Sequence, residues 1–90
     1  MNQYFNKSIL KGIITPYHWK DNKVVEISIQ TIHEEEYIVD KNDVCNEMFQ
    51  FINYPVEVSG YINKRKSDGK NMIQVEKCVA VISSNADEFL

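Results

Sequence analysis

Apolar and polar residues alternate along most of this 90-residue chain, and in one place the period changes. The clearest alternation runs from Val24 to Thr31. Val25, Ile27 and Ile29 fall on one side; Glu26, Ser28 and Gln30 fall on the other. Period two over this length predicts a half-buried strand. Upstream, Ile9–Thr15 is apolar and β-branched with a single glycine, Gly12, which predicts a strand with a bulge or a sharp bend. Trp19–Lys23 reads as the turn between these two strands. His33, Glu34 and Glu35 turn the chain again, and Glu36–Asp40 gives a third, shorter strand.

Between Asn42 and Tyr54 the period becomes helical. Val44, Met48, Phe51 and Ile52 share a face, with Cys45 and Phe49 beside them, as in an amphipathic helix of about three turns. Asn42 or Asp43 can cap it by accepting from a free backbone N–H of the first turn. It ends near Asn53 and Tyr54, and Pro55 forbids its continuation. Alternation then returns over Val56–Ile62. Val56, Val58 and Ile62 face inward with Gly60 between them, and Glu57, Ser59 and Tyr61 face outward. Lys64–Lys70 is a loop with a hairpin signal at Asp68-Gly69. Met72–Val81 forms a last long strand, bulged near Lys77 where the alternation slips.

The element order is β-β-β-α-β-β. A split βαβ fold needs a second helix, which Val56–Val81 cannot supply. A seven-stranded sandwich needs more strands than the chain holds. The expectation is a mainly β fold: a five-stranded OB-type barrel with one helix between strands three and four, plugging an open end. Residues 1–90 read as one domain, with a core over about 8–82 and short flexible tails. Ser83–Glu88 is polar enough to fray.

On these strands the chain resembles the OB-fold domains of the tRNA-anticodon and helicase type. The matching stretches are Leu10-Lys11-Gly12-Ile13-Ile14, Val56-Glu57-Val58-Ser59-Gly60-Tyr61-Ile62, and Gly69 through Ile73-Gln74-Val75. The likeness spans Ser8 to Val81. It implies a ligand face on strands two and three, flanked by the loops between strands one and two and between strands four and five.

Composition narrows the function classes. Apolar residues are 43% and charged residues 26%, ordinary for a globular domain. No apolar run approaches the roughly 20 residues of a membrane helix. Met1–Lys7 has neither an apolar core nor a small-residue cleavage site, so a cytoplasmic protein is expected. In that compartment Cys45 and Cys78 read as buried thiols, with a disulfide or metal site as the alternative. The net charge of −3 argues against tight non-specific duplex binding, but leaves room for a local basic patch.

Such a patch is present. Tyr17, His18, Trp19, Lys20 and Lys23 cluster in the first flanking region; Lys64, Arg65, Lys66 and Lys70 cluster in the second. Rings beside cations suit a single strand, whose bases stack while its phosphates meet the lysines. Tyr61 is a further outward aromatic. The alternatives are a Trp19 that covers the barrel mouth and a lysine-rich loop that is merely solvated. Two features work against nucleic acid: strand two offers no outward aromatic, and Glu34–Glu36 would repel phosphate.

Enzyme signatures such as a P-loop, GxGxxG, GxSxG or HExxH are absent from the sequence. A nuclease-type arginine–carboxylate site would depend on Arg65, the only arginine. The expectation is therefore a non-catalytic binding module without cofactor or metal. Its partner is single-stranded RNA or DNA, or alternatively another protein, with a homodimer as one form of that case.

Overall fold

The computed structural model describes residues 7–81. The polar tail expected over Ser83–Glu88 lies outside them. The elements are β1 (Lys7–Lys20), β2 (Lys23–Thr31), β3 (Glu36–Val39), α1 (Asp43–Met48) with a 3-10 turn over Phe49–Phe51, β4 (Pro55–Lys64) and β5 (Asn71–Ala80). The strands close a barrel in the order β1-β2-β3-β5-β4, compatible with an OB-like fold.

Closure depends on β1, which is long enough to serve two neighbours. Lys7–Ile13 pairs with β4, and Gly12–Lys20 pairs with β2. At Gly12 the strand is paired on both sides, to Thr31 and to Val56. A Cβ there would fall onto the Gln30 carbonyl, so only glycine allows the approach. Gly60 is held the same way against the Gln74 carbonyl. It adjoins a register shift in which Ser59 faces Lys77 and Gly60 faces Val75, leaving Glu76 as the extra residue. This is the bulge expected near Lys77. The other seam, between β3 and β5, is parallel and short: Ile38 meets Met72 and Val39 meets Ile73.

Inward residues of every strand meet α1 in one core. Ile14, Ile27, Ile29, Val39, Val56, Val58, Ile73 and Val75 are buried there with Cys45 and Met48. Asn42 caps α1: its Oδ1 accepts from Cys45 N–H at 2.8 Å, while its Nδ2 donates to the Val75 carbonyl at 3.1 Å. One side chain thus satisfies a helix end and ties it to β5.

Three local expectations need correction. The helix of about three turns is a six-residue α-helix followed by the 3-10 turn. Ile52 leaves that turn extended to bridge Ile14, and Asn53 takes a left-handed φ of 74°, so the helix cannot run to Tyr54. The turn expected at Trp19–Lys23 is only Asp21-Asn22, with φ values of 53° and 67°. Positive φ at both central positions is the hairpin geometry that matches strand twist. Trp19 and Lys20 therefore belong to β1, which extends past Pro16 with the help of a bulge. Finally, Val25 is half-buried rather than a core residue like Ile27 and Ile29, because the β1–β2 register passes over it.

Candidate nucleic-acid interface

The bulge in β1 determines how the candidate site is assembled. The register passes from Pro16↔Ile27 to His18↔Glu26, so Tyr17 is the extra residue. A bulge re-aims the side chain it carries. Here the Tyr17 ring receives the loop between β4 and β5. The Lys70 ammonium donates to Tyr17 Oη at 3.0 Å and lies 5.5 Å from the ring centroid; the Arg65 guanidinium lies 5.9 Å from it. Residues 53 positions apart are brought together in this way.

The loop has its own internal order. Arg65 N–H donates to the Lys70 carbonyl at 2.7 Å, and Gly69 N–H donates back to the Arg65 carbonyl at 2.6 Å. Gly69 has a φ of 75°, which suits glycine at the tip. The Arg65 side chain grips Asp68 with two nitrogens, Nε at 3.1 Å and Nη2 at 2.8 Å. Its third nitrogen, Nη1, lies 3.7 Å from Glu26 Oε2 on β2.

These contacts shift the charges involved. Hydrogen bonds from Arg65 and from the Lys70 backbone lower the Asp68 carboxyl to about 2. The Asp68 bond in turn holds Arg65 above its ordinary range. The bond to Tyr17 raises Lys70. Arg65 is therefore committed to two carboxylates, whereas Lys64 and Lys66 beside it are exposed.

The β1–β2 hairpin tip supplies the other part. Trp19 pairs with Val24, Lys20 pairs with Lys23, and Trp19 keeps 57% of its surface exposed. It is not a core residue. Tyr17 lies two positions before it on the same strand. The structure thus joins Tyr17, Arg65 and Lys70 by direct contact, sets Trp19, Lys20 and Lys23 together at the hairpin tip, and leaves Lys66 on the loop; Lys64, expected in that loop, is instead the last residue of β4, paired with Asn71. Tyr61 falls elsewhere: it sits on β4 between Lys7 of β1 and Gln74 of β5, beside the 2.9 Å Lys7–Glu76 ion pair.

Sequence reasoning missed the acidic and hydroxyl partners on the neighbouring face. Ser28 donates to Glu36 Oε2 at 2.8 Å and shares a 2.9 Å bond with the Thr15 hydroxyl. Ser28 points out of the barrel yet is fully buried. Glu34 and Glu35 are exposed in a tight turn, where Thr31 Oγ1 accepts from the N–H groups of His33 and Glu35. No sequence signal marked Thr15 or Glu36 as partners, because the contact depends on strand register.

Cys45 and Cys78 are free thiols, and burial pushes both up. Among the described residues no three acidic, histidine or cysteine side chains gather to hold a metal ion, and no helix is long and apolar enough to cross a membrane. Comparison with protein-family models, curated proteins and solved structures finds no match to this chain.

Proposed function

We propose that this protein is a non-catalytic module that binds single-stranded nucleic acid across the β1–β2 hairpin tip and the loop between β4 and β5. One observation carries this reading: the basic loop is docked on Tyr17, on the same strand that carries the exposed Trp19 two residues further on, at a hairpin tip with Lys20 and Lys23. The exposed Trp19 ring gives a base a stacking surface worth about 1–3 kcal/mol, and the surrounding lysines give phosphates their counterions. The net negative charge of the chain suits a short, local contact better than a continuous backbone track.

The test is the fluorescence of Trp19, the only tryptophan, during titration with mixed-sequence single-stranded DNA and RNA. Saturable quenching that weakens with added salt is expected. Absence of binding by fluorescence and by gel shift at low salt refutes the reading.

A second reading, a protein-interaction module, has its own observation. Ile9 and Ile13 of β1, Val79 of β5 and Val81 just past its end are exposed on the far face, to either side of β4. Ile9 and Val79 border a shallow groove of about 280 Å³ floored by β4. Exposed apolar surface of this kind marks contact sites. Sedimentation of the wild type and Ile9→Glu tests it: a self-associated wild type and a monomeric variant would favour the second reading.

A further inference from the structure

Ser28 and Ile38 are cross-strand partners on the outside of the barrel, yet Ser28 is fully buried and Ile38 is 1% exposed. Ile38 is buried outside the core cluster, so something other than the barrel interior covers it. The outward side of such a sheet is ordinarily solvated. Here Thr15 and Glu36 close over Ser28. Lys64, Gly69, Lys70 and Asn71 stand around Ile38 and leave a cleft of about 250 Å³ against Glu36.

The 4–5 loop thus lies on the β2–β3 face. Its tethers to the barrel are polar and partly exposed: Lys70 to Tyr17 and Arg65 to Glu26, with Asp68 holding Arg65 in place. Contacts of this type contribute little individually. Their loop-side donors, an ammonium and a guanidinium fork, are also the groups that phosphate binds best.

We propose that the loop is a clasp. In the free protein it covers the β2–β3 face. When a nucleic-acid strand binds, phosphate replaces Asp68 and Glu26 at Arg65 and replaces Tyr17 at Lys70, and the loop lifts. Lifting exposes Ile38 and frees the Tyr17 ring for a base. The closed clasp lowers apparent affinity by the fraction of molecules that are open, so loosening a tether tightens binding. This inference rests on the function proposed above.

The test uses the full chain and short oligo(dT) and oligo(U) as probes. Tyr17→Phe removes the hydroxyl that holds Lys70 while preserving net charge and the ring. Losing one such exposed contact is expected to tighten binding about 1.5- to fivefold. In parallel, nuclear Overhauser contacts between the Tyr17 ring and the Lys70 side chain are followed from the free to the saturated protein. Their loss at saturation, with tighter binding by the variant, supports the clasp. Contacts that persist at saturation, or weaker binding by the variant, overturn the clasp and leave the binding function standing. Failure of both proteins to bind either probe overturns the two together.

Discussion

Ser28→Ala is the sharpest test of how the outer face of β2 is built. An outward serine on a solvated strand contributes almost nothing, and its replacement falls within about 0.5 kcal/mol of neutral. Ser28 differs because it is fully buried between two partners, Thr15 at 2.9 Å and the Glu36 carboxylate at 2.8 Å. A neutral hydrogen bond contributes about 0.5–1.5 kcal/mol and one to a charged group about 1.5–3 kcal/mol. Thr15 and Glu36 are only half-buried, so water recovers part of each loss. The expected cost is about 1–2 kcal/mol. For a domain of this size each kcal/mol lowers Tm by about 4–8 °C. Urea unfolding followed by far-ultraviolet circular dichroism measures it, with Gln30→Ala as the control. Gln30 occupies the same face two residues on and is exposed, so its replacement is expected to be near neutral. Equal effects for the two variants, or a Ser28→Ala cost under about 0.5 kcal/mol, would refute the buried network.

Three further predictions follow from other contacts. Gly60→Ala places a Cβ on the Gln74 carbonyl in the β4–β5 ladder, so it is expected to lower stability by about 2 kcal/mol or more in the same urea assay. Asn42→Ala removes both the helix cap and the bond to Val75, with an expected loss of about 1–2 kcal/mol and faster amide exchange at Cys45. The Asp68 contacts depend on its charge; because its folded value is depressed from 3.8 to about 2, they are fully present above about pH 4 and lost as pH falls through about 2. Amide resonances of Arg65, Gly69 and Lys70 followed through that window are expected to move together, and unmoved resonances would contradict the loop geometry.

Much of this fold was legible in the residues because burial enforces period two. Ile27 and Ile29, and Val56 and Val58, announce their strands and their inward faces. The slip near Lys77 signalled a bulge that β5 carries, whereas Gly12, read as a bulge or bend, lies in unbroken register and is instead a point of close backbone approach. What the residues could not announce depends on register. The strand read over Ile9–Thr15 looked finished, yet the bulge at Tyr17 carries β1 five residues past Thr15 and sets the ring where the loop lands. Asp21-Asn22 could be recognised as the hairpin turn only once both neighbours were known to be strand. The helix looked longer than it is because Phe51 and Ile52 keep helical spacing while belonging to a 3-10 turn and a bridge.

The candidate site was legible to a similar depth. Its cations and rings were visible as two clusters, and the topology of the barrel explains why Tyr17, Arg65 and Lys70 meet. Arg65's commitment to Asp68 and Glu26 was not visible, since one partner is local and the other lies 39 positions earlier in the sequence. Tyr61 read as a further aromatic for the site because the alternation of β4 turns it outward. The barrel order separates it from Tyr17, placing it between β1 and β5.

The most direct test of the proposed interface is chemical-shift mapping of the isotope-labelled full chain against a short single-stranded oligonucleotide at low salt. Shifts centred on Tyr17–Lys23 and on Lys64–Lys70 are the predicted result. Shifts centred on Ile9, Glu57 and Val79 across the far face, or no shifts at all, would contradict it.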